Sequence, residues 1–152
     1  MIFTIKIQRG IELVALILVI IVIGIVVFIG FKYANNYIEN EEKKDIKTTM
    51  LTIQGKITNI QNKHIVDESN SLKGTKIDLE NNQTEYNINE ELKKSLLTIE
   101  NPELYILNED ELNELGVKDI VINDTEFYVV EYNTKEVFYS LGVNGKYKLS
   151  EM

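Results

Sequence analysis

Leu13 through Phe31 is a run of 19 residues without a charged or strongly hydrogen-bonding side chain. No other feature limits the fold of this chain so strongly. At about 1.5 Å of rise per residue, a helix of this length covers roughly 28 Å, close to the hydrocarbon thickness of a bilayer. One alternative is a buried core helix. A chain of 152 residues is too small to cover every side of a helix that is apolar all round. The other is a cleaved secretory signal, which has a shorter apolar region followed by a small-x-small cleavage site. Here Phe31-Lys32-Tyr33-Ala34-Asn35 follows, and a cut after Ala34 would put Lys32 where a small residue is needed. The segment 13–31 is therefore expected to remain as a single transmembrane span in the cell membrane. Lys6, Arg9 and the α-amine lie on its N-terminal side. Lys32 lies just beyond it, with Lys43 and Lys44 further on among Glu39, Glu41, Glu42 and Asp45. The positive-inside rule then places the N-terminus in the cytoplasm and the C-terminal part outside.

The helical pattern continues past the span. Ile46, Met50, Ile53, Ile57 and Ile60 recur at spacings of 4, 3, 4 and 3, an apolar stripe on one side of a helix. It runs to about Ile65, where Asp67-Glu68-Ser69-Asn70 breaks it, and Gly55 weakens it locally. One helix of about 55 residues, half apolar all round and half amphipathic, precedes a small polar domain.

This plan, together with the opening Arg9-Gly10-Ile11-Glu12-Leu13-Val14-Ala15-Leu16, resembles the type IV pilin-like family. That family includes pilins and the pseudopilins of type II secretion systems, and the wording is most like its Gram-positive, clostridia-type variants. Members carry a short basic leader ending in Gly and an apolar helix directly after it. A membrane-bound prepilin peptidase cuts after the Gly and methylates the new amine. The resemblance implies a leader over 1–10, a cut after Gly10 and N-methylation at Ile11. Gly24 falls where many members have a helix glycine, fourteen residues after the cut. One position departs. The fifth mature residue, commonly Glu, is Ala15, and the nearest acid is Glu12. Glu12 either neutralises an N-terminal amine, its own or a neighbouring subunit's, or sits at the water–lipid boundary near a helix N-terminus, where an anion is favoured. A further likeness to small Gram-positive pilin-like proteins lies at Phe127–Tyr139. Those proteins often have a turn glycine where this chain has Lys135.

Residues 67–152 read as a small α+β head. Asn89 can cap a short helix carrying Leu92, Leu96 and Leu97. Asn108 with Glu111 forms a capping-box start for a helix that stops at Gly116. Ile120 to Ile122 precedes an Asn123-Asp124 turn. Phe127–Tyr132 and Glu136–Leu141 read as a hairpin joined by Asn133-Thr134-Lys135, and Asn144-Gly145 marks a tight turn before a last strand, Tyr147–Leu149. The expectation is three or four antiparallel strands, with the stripe of Ile53, Ile57 and Ile60 laid on their apolar side.

Composition narrows the chemistry. The chain has no Cys and one His, His64, which removes disulfides, Cys-ligated zinc and His clusters. Its net charge is −8, and loss of residues 1–10 would remove Lys6 and Arg9 and deepen it. Such a surface repels nucleic acid. The sequence has no phosphate loop and no nucleophile elbow. The acidic clusters at Asp67-Glu68, Glu109-Asp110-Glu111 and Asp124-Thr125-Glu126 lack EF-hand spacing and read as caps and turns. His64 reads as a solvated residue near a helix end. Tyr128, Tyr132, Tyr139 and Tyr147 would suit packing or a sugar- or peptide-binding face.

The expected architecture is α+β: a leader over 1–10, a long helix over 11–66 with its transmembrane part at 13–31, and an extracytoplasmic head over 67–152. No enzyme activity and no cofactor or metal are expected. The leading functional expectation is a prepilin-like subunit whose partners are the membrane, a prepilin peptidase and other pilin-like subunits. Ala15, Gly24 and Gly30 would allow close helix packing. Two alternatives stand: an uncleaved single-pass protein whose head binds a partner, and an accessory of a membrane enzyme complex.

Overall fold

The structure is a computed structural model that describes the backbone of residues 2–80, 86–118, 120 and 122–152, and side chains from Leu13 onward apart from 35–39. It divides into two compact units, Met1–Glu42 and Lys43–Met152. Helix α1 (Ile2–Val66) contributes to both.

In the first unit, Leu13–Ala34 is a helical stretch of 22 residues with mean hydropathy 3.5, and none of it is buried within the chain. By length and composition this stretch can cross a membrane. It extends the expected apolar run by three residues, Lys32 to Ala34.

The second unit is built on a five-stranded antiparallel sheet in the order β1-β2-β3-β4-β5, every strand next to its sequence neighbour. The strands are β1 (Thr75–Lys76), β2 (Leu104–Leu107), β3 (Tyr128–Glu131), β4 (Glu136–Val143) and β5 (Lys146–Lys148), with a closing 3₁₀ turn at Leu149–Glu151. Helix α2 (Glu90–Leu97) starts at Asn89, whose side chain accepts from Leu92 N. Helix α3 (Glu109–Glu114) starts at a complete capping box between Asn108 and Glu111. Both caps are where sequence spacing puts them, because capping satisfies the orphan amides of a first turn within three residues.

Five strands rather than three or four is a difference from expectation. β1 pairs only Thr75 with Ile106 and Lys76 with Tyr105, too short a strand to show a period of two. Gly74 makes its approach possible: a Cβ there would lie 2.7 Å from the Ile106 carbonyl oxygen. Ile120 and Ile122 lie outside any strand, with Ile122 buried and Val121 outside the described residues. Asn144 and Gly145 both have positive φ (53° and 72°), the backbone of a tight hairpin turn between β4 and β5.

Both faces of the sheet are covered. One carries Tyr128, Val130, Val137 and Tyr139 against Met50, Ile53 and Ile57 of α1 and Leu112 near α3's end. The other carries Leu104, Ile106, Val129 and Phe138 against Leu92 and Leu96 of α2. Alternate residues of β3 thus serve opposite cores. That is why Phe127 to Val130 is a continuous apolar run and not an alternating one. The stripe of α1 does the job expected of it, with Met50, Ile53 and Ile57 fully buried and Ile46 and Ile60 packed at its ends.

Candidate functional site

The largest exposed apolar surface among the described residues is the stretch Leu13–Ala34. Its Leu, Ile, Val and Phe side chains from Leu13 to Phe31 are all about half exposed or more. Lipid or other apolar helices are the surroundings that suit such a surface. At Gly24 and Gly30 an added Cβ would meet nothing within 4 Å, so the chain's own fold does not require either glycine. Ala15 is also exposed on this stretch. Gly10, Ile11 and Glu12, the residues expected to be cut, methylated and paired, lie outside the residues whose side chains are described.

The head carries three further features. The first is an open groove of ≈ 490 Å³ between α1 and the sheet, lined by Asp45, Thr48, Thr52, Lys118, Glu126 and Tyr128 among others. The second is an acidic cleft of ≈ 280 Å³ lined by Glu109, Asp110, Asp124 and Glu126. Its amides are already engaged: Asn108 caps α3, and Asn123 Nδ2 donates to Glu126 Oε1 at 3.0 Å. Among the described residues no three Asp, Glu or His side chains are placed to share a metal ion.

The third is the turn between β3 and β4. Glu131 is fully buried. Its Oε1 accepts from the backbone amides of Glu103 (3.0 Å) and Asn133 (3.1 Å), and its Oε2 from the amide and hydroxyl of Thr134, both at 2.5 Å. A buried carboxylate is tolerated when it collects several donors in this way. The Tyr132 hydroxyl donates to the Lys73 carbonyl (2.9 Å) and accepts from the Lys73 amide (3.0 Å). Burial pushes the Tyr132 hydroxyl up to about 12, and that of Tyr128 is raised by burial as well. Lys135 has φ +61°, and its carbonyl accepts from Gln54 Nε2 of α1 at 2.9 Å.

The structure corrects one of the readings given for the tyrosines. Tyr128, Tyr132, Tyr139 and Tyr147 are at most 8% exposed, so packing has consumed their rings and they form no open sugar- or peptide-binding face. Tyr128 and Tyr139 lie against each other with centroids 5.2 Å apart. His64 is near the end of α1 as expected, its Nδ1 2.6 Å from the Asn70 carbonyl oxygen. Asp67 starts the turn beyond it, and hydrogen bonds from Ser69 hold its carboxyl below the usual range.

Sequence reasoning missed Glu131 and Gln54. A signal for Glu131 existed: it is the one charge inside Phe127–Tyr132, and a charge in a buried strand must find partners. Lys135 has the left-handed backbone that glycine adopts most readily.

No family model, no curated protein and no solved structure matches this chain.

Proposed function

We propose that this chain is a prepilin-like structural subunit without enzymatic activity. It is cut after Gly10 and N-methylated at Ile11, and it crosses the membrane once with its N-terminus cytoplasmic and its head outside. It packs by its apolar helix with other pilin-like subunits into a type IV pilus or a type II secretion-type pseudopilus. One observation carries the reading. Within α1, a stretch that packs on nothing in its own chain, Leu13–Ala34, precedes a stretch that gives Met50, Ile53 and Ile57 to the head's core. The first stretch is free to pack with neighbouring helices, and the second joins the head's core to the same helix, as a subunit held by its helix requires.

In this reading Ala15, Gly24 and Gly30 let neighbouring helices approach closely. Glu12 neutralises an N-terminal amine, because a carboxylate at the edge of lipid is costly unless paired. Ala15 in place of the commoner Glu bears on filament incorporation more than on processing, and the second reading is an uncleaved single-pass protein whose head binds a partner. The mature N-terminus separates the two. The protein is expressed with its native prepilin peptidase and its mass measured. N-methyl-Ile11, lost in Gly10→Val, is the expected result. An intact Met1 in both proteins would leave the anchor reading.

A further inference from the structure

The β3–β4 turn joins more of the head than its length requires. Within five residues, Glu131 to Lys135, it binds three distant segments. Gln54 of α1 donates to the Lys135 carbonyl. Lys73, in the loop after α1, is held at both its amide and its carbonyl by the Tyr132 hydroxyl. Glu103, at the entrance to β2, donates to the buried Glu131 carboxylate and accepts from the Tyr132 amide at 3.1 Å. The remaining acceptor sites of Glu131 close the turn on itself through Asn133 and Thr134. Among the described residues α1 also meets the sheet through an apolar stripe and a side-chain hydrogen bond between Thr49 and Tyr128.

These two kinds of contact respond differently to shear. Apolar contact is non-directional, so it tolerates small displacements within its packing better than a hydrogen bond does. A hydrogen bond fails within about an ångström of displacement. If α1 slipped by one turn, Met50 or Thr58 would take Gln54's place, and neither carries an amide. The Lys135 carbonyl would then lose its partner.

We infer that Glu131–Lys135 is a mechanical joint of the head, a place where tension entering along the Lys43–Val66 part of α1 passes into the sheet. The inference deepens the proposed function and rests on it, since tension reaches the head through α1 only if the helix is held by other subunits. Gln54 is the contact on the helix side. Glu131 is a positioning residue that keeps the turn in the shape that presents the Lys135 carbonyl.

Single-molecule pulling on the full-length chain in detergent tests this. The chain has no Cys, so handles attach only where cysteines are introduced, here Lys44→Cys and a cysteine appended after Met152. At one constant force, Gln54→Ala and Glu131→Gln should each unfold about tenfold faster than the parent. With the first handle moved to Lys94→Cys on α2, the load path bypasses α1 and the effect of Gln54→Ala should disappear. Parental unfolding rates for Gln54→Ala pulled from position 44 would overturn the inference. Equal acceleration from both positions would also overturn it, because that is what general destabilisation gives. Gln54 is only partly buried, so its variant keeps the test open if Glu131→Gln does not fold. The pulling result does not depend on whether Gly10 is cut, so failure here and failure of the subunit reading are separate observations.

Discussion

Leu13–Ala34 and Lys43–Val66 lie in the same helix, yet they meet opposite environments. The first is apolar on every side and buries nothing. The second confines its large apolar side chains mainly to one stripe, and Met50, Ile53 and Ile57 of that stripe are fully buried. What separates them is the distribution of apolar residues around the helix axis. An all-round apolar helix asks for an apolar surrounding, and a striped one asks for a single packed surface. One continuous helix therefore carries two different patterns, and only the striped one is buried in the head's core.

The same charge placed in each stretch should have different effects, the largest of them in the buried stripe. Ile53→Asp buries an unpaired carboxylate in the core and should cost more than about 5 kcal/mol, abolishing the head's cooperative melt. Ile20→Asp should leave the midpoint of that melt in detergent unchanged and instead reduce the membrane-bound fraction. If Ile20→Asp also unfolded the head, the two stretches would not be independent.

Glu131→Gln comes next. It replaces an all-acceptor group facing four donors with an amide that brings two donors of its own, and should lower unfolding free energy by about 3 kcal/mol in urea titrations.

A smaller effect concerns pH. The Tyr132 hydroxyl is raised from its ordinary value of 10.0 to about 12 by burial. A raised folded value means stability is fully present below pH 10 and is lost as pH climbs from 10 through 12. The loss is about 2 kcal/mol from this group. In Tyr132→Phe the decline over that window should be shallower, after allowing for the lower starting stability from loss of the two Lys73 contacts. An unchanged slope would show that Tyr132 does not titrate there.

The smallest effect is at Lys135. Glycine relieves the positive φ while keeping the carbonyl that Gln54 reaches, so Lys135→Gly should stabilise the fold by about 1 kcal/mol or less, seen as a small rise in melting temperature. A loss instead would mean the Lys135 side chain contributes more than its backbone costs.

How far the fold could be read beforehand depended on the distance between partners. Asn89 and the Asn108–Glu111 box cap helices within three residues, so a local spacing sufficed. The hairpin from Tyr128 to Val143 was legible for the same reason. Helix α2 on the far face of the sheet was not, because nothing local tells Leu92 and Leu96 which side of β3 they will meet. β1 was hidden by its two-residue length. The partner of Gln54 lies 81 residues away, and no pattern in either segment points to the other. The expected processing residues Gly10, Ile11 and Glu12 rest on the sequence resemblance.

The apolar stretch, the stripe that follows it, the helix caps and the turns are written in the residues themselves, since each depends on side-chain type at short, regular spacing. Only the tertiary structure decided that the sheet is covered on both faces, that four tyrosines are enclosed, and that one buried carboxylate gathers four donors at the β3–β4 turn. These are matters of which distant surfaces meet. Apolar burial drives such surfaces together without direction, and the hydrogen bonds that fix their register form only between groups the folded backbone has already brought within reach.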